Sequence, residues 1–338
     1  MSTTTNYEDQ VSSQVQTRRA TVEFINIVND LWYDKSIELV LFRNQLVDKH
    51  TSEVLNLINY AKEFVAKPIT IFDALDIAKA IQELELPSSK LDIGKLAYEC
   101  QLNEANCADK LAFVKNQLSG AKDNGIIEPK DVVLYGFGRI GRLLARELMN
   151  KMGKGSQLRL RAVVTRGEIN QTVLEKRASL LSIDSVHGDF LGTVEVDVDN
   201  NALIINGTTV HMISAKQPED IDYTEFGIND ALIIDNTGAF RDKEALSRHL
   251  VAKGADKVLL TAPGKGVPNI VHGVNHLEND PNVVDIFSAA SCTTNAITPV
   301  LKVLEDSFGI NKGHLETIHA YTNDQNLVDN MHSKYRRG

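Results

Sequence analysis

The 338-residue chain is short of cysteine, proline and tryptophan, with three, eight and one, and it has no excess of positive charge. Cys100, Cys107 and Cys292 form no CxxC pair, and their number and spacing give neither a disulfide framework nor a cysteine-based metal site. Lys plus Arg total 36 against 45 Asp plus Glu, a net charge of −9, which argues against general binding to nucleic acid or to an anionic membrane. Apolar runs such as Ile37 to Phe42 fall far below the roughly 20 residues needed to span a bilayer. The polar N-terminus lacks the charged-then-apolar pattern of a secretory leader, so a cytoplasmic, reducing setting is expected. What remains is ordinary for a globular protein: 43% hydrophobic, 24% charged, no internal repeat, and a length suiting about two or three domains.

Residues 1 to about 17 read as a loose polar tail, and the chain to about Ser119 reads as helical almost throughout. Phe24, Ile27, Val28, Leu31 and Trp32 fall on one helix face, and Val54, Leu57, Ile58 and Ala61 on another. Thr70 and Ser89, each with Asp three residues on, resemble capping boxes. Cys100 and Cys107, seven apart, read as small packed residues sharing a helix face. The expectation is an all-α block over residues 1–130 that ends in a linker from Gly120 to Lys130. Strands then alternate with helices: Asp131 to Tyr135, Leu158 to Thr165, Ala231 to Asp235 and Lys257 to Thr261 as parallel strands, with an antiparallel meander from Gly192 to Ile213.

Between the first strand and the helix from Arg139 to Met152 stands Gly136-Phe-Gly138-Arg-Ile-Gly141. Gly136 allows a tight turn, Gly138 lets the backbone approach a pyrophosphate, and Gly141 permits close helix–strand packing. An anion there meets free N–H groups and the positive end of the helix dipole. The helix's apolar face reads as Ile140, Leu143, Leu144 and Leu148. A dinucleotide site usually carries a carboxylate at the end of the second strand for the adenosine ribose diol. Here that strand ends in Thr165-Arg166, a hydroxyl and a guanidinium that tolerate a 2′-phosphate. NADP, or dual NAD/NADP use, stands beside NAD held by other groups.

Ser291-Cys292-Thr293-Thr294-Asn295 follows a strand near Val283 to Phe287 and opens a helix stopped by Gly309. Its position at a helix N-terminus favours the thiolate of Cys292, and Ser291 and Thr293 set hydroxyls beside the same amides. A nucleophilic thiolate needs a base, and His319, on an expected strand from His314 to Tyr321, lies 27 residues on. His187, His272, His276 and His332 read as turn or surface residues, and no metal site is expected.

These motifs together resemble the glyceraldehyde-3-phosphate dehydrogenases. GFGRIGR from Gly136, SCTTN from Ser291 and HAYTNDQ from His319 stand in that family's order, with Asp184-Ser-Val-His-Gly188, Asn236-Thr-Gly238 and Gly273-Val-Asn275 between them. The resemblance implies an α/β fold: a Rossmann dinucleotide-binding domain over residues 131–291, after the helical extension, then an α+β catalytic domain opening at residue 292. It implies Cys292 as nucleophile and His319 as acid–base, oxidising glyceraldehyde 3-phosphate through a Cys thioester with hydride transfer to NAD or NADP, and inorganic phosphate releasing an acyl phosphate. Gly136, Gly138, Arg139, Ile140, Gly141, Thr165, Arg166, Asn236 and Thr237 would line the cofactor site. Ser291 and Thr293 would hold the attacking phosphate and Thr322 the substrate's, the Thr322 hydroxyl favouring a triose over erythrose 4-phosphate. The full-length protein is expected to be a homotetramer.

In three respects the chain departs from the family. A long helical block precedes the first Rossmann strand, the ribose carboxylate is replaced, and the sequence stops at Gly338 inside what resembles the family's S-loop. The catalytic domain is thus expected to be incomplete, the His314 to Tyr321 strand unpaired, and turnover by this chain poor. A catalytically silent NAD(P)-binding or interaction protein, with the helical block as partner surface, is the rival reading.

Overall fold

The computed structural model describes residues 6–102, 107–120, 128–155 and 157–320. They fall into two compact units, one within Met1–Glu128 and Gly153–Gln157, the other within Pro129–Met152 and Leu158–Gly338.

The first unit begins with helix α1 (Tyr7–Lys35), whose buried stripe is the expected Phe24, Ile27, Val28, Leu31 and Trp32. The helix also takes in residues 7–17, read from sequence as a loose tail: once the apolar half is anchored, each further residue adds one hydrogen bond without a new nucleation cost. Next come β1 (Ile37–Leu41), β2 (Asn44–Gln45), α2 (Thr51–Glu63), α3 (Ile71–Gln82), β3 (Ser89–Asp92), α4 (Ile93–Leu102) and α5 (Lys110–Gln117). The unit is mainly helical but not all-α, because β1 pairs with β2 antiparallel and with β3 in parallel, a three-stranded sheet. The Thr70–Asp73 capping box is present. Ser89 instead opens β3, and Asp92 at its end caps α4, its carboxylate accepting from Lys95 N at 3.1 Å.

Cys100 and Cys107 are joined in a disulfide with Cα atoms 5.4 Å apart, contrary to the expectation of two unlinked residues on one helix face. The helix that was to carry both ends at Leu102, so Cys107 is no longer two turns further along it. The Lys110 ammonium lies 3.3 Å from Cys100 Sγ. Most of the expected linker lies outside the described residues.

The second unit contains β4 (Lys130–Tyr135), α6 (Arg139–Asn150), β5 (Leu158–Thr165), α7 (Gln171–Ser182), β6 (Ile183–Asp184) and β7 (Gly188–Asp189). These are followed by β8 (Val194–Asp197), β9 (Ala202–Ile205), β10 (Thr208–Ser214), β11 (Ala231–Asp235), α8 (Lys243–Ser247), β12 (Ala255–Leu260), β13 (Ile286–Ser288) and α9 (Cys292–Phe308). Eight strands form one sheet in the order β13-β12-β11-β4-β5-β10-β9-β8. The first six run parallel, and the last two add the expected antiparallel meander, with Asn206 and Gly207 both at positive φ in its hairpin turn.

Alternation along β4 sends Val133 and Tyr135 into one hydrophobic cluster and Val132 and Leu134 into another, so the sheet is covered on both faces. This is the mixed α/β, Rossmann-type arrangement. The C-terminal ends of the six parallel strands lie along one edge, where the connections from β4, β5 and β11 converge.

Two local expectations fail. Helix α6 buries Gly141, Arg142, Ala145, Arg146 and Met149, while Ile140 is 51% exposed and Leu144 and Leu148 only partly buried. Residues 314–320, the described part of the expected His314 to Tyr321 strand, are not in a strand. A strand needs a neighbour for its backbone groups, and there these residues are exposed.

Candidate functional site

The glycine-rich turn is built as its sequence requires. Gly136 sits at φ +104°, where a Cβ would press on Thr237. A Cβ on Gly141 would collide with the Gly136 carbonyl oxygen, so this glycine allows α6 to pack against the turn. Around Gly138 nothing lies within 4 Å of an added Cβ, leaving the space that a phosphate needs to approach the backbone.

Beside the turn lies a cavity of about 550 Å³, lined by Tyr135, Gly136, Phe137, Gly138, Val164, Thr165, Arg166, Arg177, Thr237 and Ala239. Five expected cofactor residues thus meet there: Gly136, Gly138, Thr165, Arg166 and Thr237. The other four do not line it. Arg139 turns to Asp184 at 3.2 Å, Ile140 is exposed, Gly141 packs beneath Gly136, and Asn236 donates from Nδ2 to Ile234 O at 3.0 Å. Open backbone at Gly138, a helix N-terminus and a cavity of this size fit a dinucleotide.

Sequence reasoning missed three supports of this site. The Asp184 carboxylate, with its side chain 3% exposed, faces Arg139 at 3.2 Å and Arg142 at 3.9 Å. Burial raises its pKa, but amide N–H groups of His187 and Val186, the His187 ring and Arg139 outweigh that and hold it down at about 2. Second, the buried Asp235 accepts from Thr237 N and Oγ1, both at 2.8 Å, and meets His249 Nε2 at 2.8 Å on its other oxygen. Third, Arg177 of α7 reaches back into the cavity. The Asp184-Ser-Val-His motif was the only one of the three to leave a sequence signal.

Asp184→Asn removes the buried carboxylate that faces Arg139 and Arg142, an expected loss of about 3 kcal/mol in urea unfolding at pH 7. A carboxyl lowered on folding stabilises above its unfolded value of 3.8, and the contribution fades as pH falls towards 2. The gap between wild type and variant therefore closes over that interval.

At the far edge of the sheet, β13 leads into α9. Ser291 caps this helix, its Oγ accepting from Thr294 N at 2.9 Å, and Asn295 Nδ2 ties back to Ala289 O at 2.7 Å. Cys292 is the first helical residue, and Thr293 beside it is half-buried. His319 comes back to the helix start, with Nε2 3.1 Å from Cys292 Sγ and Nδ1 2.7 Å from the Ala320 carbonyl. The carbonyl requires a proton on Nδ1, which directs Nε2 at the sulfur. The His319 hydrogen bond, the Thr293 amide and the charge of His319 lower the thiol pKa. The Ala320 carbonyl first, then Cys292, raises that of His319. Both groups are exposed to solvent. Thr322 and His332 lie outside the described residues.

Among the described residues no cluster of His, Cys, Asp and Glu could hold a metal ion, and no helix is long and apolar enough to cross a membrane.

The fold and site join a Rossmann-type, dinucleotide-binding arrangement to a thiol–histidine pair at the helix start after its sheet. Residues 130–243 match the family model for the glyceraldehyde 3-phosphate dehydrogenase NAD-binding domain, and residues 291–338 match that for its C-terminal domain. A "glyceraldehyde-3-phosphate dehydrogenase-like protein" of Pseudomonas aeruginosa is 46% identical over 322 residues, 93% of this chain and 69% of its own length. The "glyceraldehyde-3-phosphate dehydrogenase 2" of Trichormus variabilis is 44% identical over 208 residues, covering 61% of this chain and 58% of its own. The glyceraldehyde-3-phosphate dehydrogenase of Thermotoga maritima is 39% identical over 207, again 58% of its own length. This chain belongs to the glyceraldehyde-3-phosphate dehydrogenase family. It spans 58% to 69% of the length of these relatives, and the Pseudomonas protein matches it through the N-terminal unit as well.

Proposed function

We propose that the chain carries the cofactor domain and catalytic pair of a phosphorylating glyceraldehyde-3-phosphate dehydrogenase. The observation supporting this most is the 3.1 Å approach of His319 Nε2 to Cys292 Sγ at the start of α9. His319 takes the thiol proton, and the thiolate of Cys292 adds to the aldehyde carbon to form a hemithioacetal. The imidazolium and the first-turn amides hold the developing oxyanion, and His319 then gives its proton to that oxygen, which leaves the hydroxyl and a neutral imidazole. His319 then accepts the hemithioacetal hydroxyl proton as the carbon is oxidised to the thioester. A bound nicotinamide supplies the acceptor for the hydride. Phosphate attacks the thioester carbonyl, the C–S bond breaks, and an acyl phosphate leaves with Cys292 restored.

Ser291 and Thr293 are assigned to the attacking phosphate and Thr322 to that of the substrate. Gly136, Gly138, Arg139, Ile140, Gly141, Asn236 and Thr237 are assigned to the dinucleotide. Thr165 and Arg166, standing where a ribose carboxylate would, favour NADP or dual use. In the whole protein this site is expected to work within a homotetramer.

The 338-residue chain by itself is expected to turn over slowly, because Cys292 and His319 are open to water and α9 buries none of its side chains. One turnover suffices to test the assignment. Mixed with glyceraldehyde 3-phosphate and oxidised cofactor without phosphate, the chain should gain a phosphoglyceroyl group on Cys292, read by intact mass and peptide mapping.

A further inference from the structure

The cavity beside the glycine-rich turn is lined by two guanidinium groups, Arg166 and Arg177, and by no carboxylate. Arg166 extends into solvent from the end of β5, and Thr165 before it is buried. Arg177 comes from the middle of α7, half-buried. It is anchored by one hydrogen bond, from Nη1 to the Phe137 carbonyl at 2.9 Å, and its Nε is buried with no partner. Burial, and next the like charge of Arg142, push this guanidinium down to about 10. Arg146, on the neighbouring helix, shows the contrast: Nε and Nη1 bond the Leu181 and Gly188 carbonyls, both at 2.9 Å, and it does not line the cavity.

A guanidinium has five N–H donors in a rigid fork, suited to gripping a phosphate by two parallel hydrogen bonds. The Phe137 carbonyl occupies one edge of Arg177 and fixes it at the lip of the turn. The cavity thus presents two cations and a hydroxyl where a ribose diol would call for an acceptor.

We propose that Arg177, with Arg166 and Thr165, binds a phosphate monoester on the 2′-oxygen of an adenosine ribose, so that Arg177 is a specificity-determining residue for NADP over NAD. The proposal rests on the reading that the glycine-rich turn holds a dinucleotide. Arg177 left no trace in the sequence, because it is one of several charges along α7 and only the fold returns it to the end of β5.

Adenosine 2′,5′-bisphosphate and adenosine 5′-monophosphate differ only in the 2′-phosphate, and calorimetric titration of the full chain with each isolates its effect. The bisphosphate should bind at least about tenfold tighter to wild type. Arg177→Gln should remove about tenfold of its affinity while changing that of the monophosphate by less than about twofold, and Arg177→Lys should keep part of the preference with a steeper salt dependence. Thermal melts of both variants should stay close to wild type. Equal weakening of both nucleotides in Arg177→Gln would mean that Arg177 only supports the Phe137 turn and overturns the proposal. So would an intact preference in that variant alongside its loss in Arg166→Gln, which leaves the NADP reading standing without Arg177. If neither nucleotide binds to wild type, the dinucleotide reading itself falls with it.

Discussion

Gly138→Val should cost the chain nearly all its nucleotide affinity and almost none of its stability, whereas Gly141→Val should do severe damage to stability. No atom lies within 4 Å of a Cβ at Gly138, so the folded protein has room for the valine. Its backbone is extended, φ −74° and ψ −165°, a conformation that any residue adopts. The cost is a poorer residue at the start of α6, under about 1 kcal/mol. That same empty space is where a pyrophosphate must come close to the helix N-terminus, and filling it should weaken cofactor binding on the order of 100-fold. At Gly141 a Cβ collides with the carbonyl oxygen of Gly136, a backbone atom of the turn itself. Relief requires α6 to move off the sheet, at about 3 kcal/mol, a drop of about 10 °C in melting temperature. Fluorescence titration with cofactor and thermal melts of the two variants separate these outcomes. A Gly138→Val chain that binds as wild type does would remove the glycine-rich turn from the cofactor site.

His319→Gln should slow alkylation of Cys292 by iodoacetamide at pH 7 about tenfold and move the inflection of its pH–rate profile upward. The sign follows from the direction of the shift. Cys292 is lowered chiefly by its hydrogen bond to His319, so removing the imidazole raises the thiol pKa and reduces the thiolate fraction at neutral pH. The Thr293 amide remains, so the inflection should return only part of the way to that of a free thiol. Wild-type reactivity in the variant would mean that the 3.1 Å contact does not govern the thiol.

Features set by neighbouring residues were legible in the sequence. The glycine turn, the antiparallel meander, the stripe on α1 and the helix opening at Cys292 each depend on a few adjacent side chains, and each is found. Pairings across long separations were not. Strand β1 pairs with β3, where Ile37 faces Ser89, and no local pattern joins those segments. On α6 the apolar spacing suggested a leucine face, yet Arg142 and Arg146 are buried there. Their partners are Asp184 and the carbonyls of Leu181 and Gly188, some forty residues on. His249 was passed over because its partner Asp235 lies on another element. At the site, then, Cys292, His319, the glycines and the Asp184 motif were readable, while Arg177, the Asp235–His249 pair and the arginines that Asp184 faces required the fold.

The most direct test is the mass of Cys292 after one exposure to glyceraldehyde 3-phosphate and oxidised cofactor in phosphate-free buffer. The expected result is a phosphoglyceroyl thioester on Cys292, lighter than the simple aldehyde adduct by the hydride and proton removed, discharged by inorganic phosphate and absent from Cys292→Ser. An unmodified Cys292, in a chain that binds cofactor and whose thiol still reacts with iodoacetamide, would contradict the dehydrogenase reading and favour a catalytically silent nucleotide-binding protein.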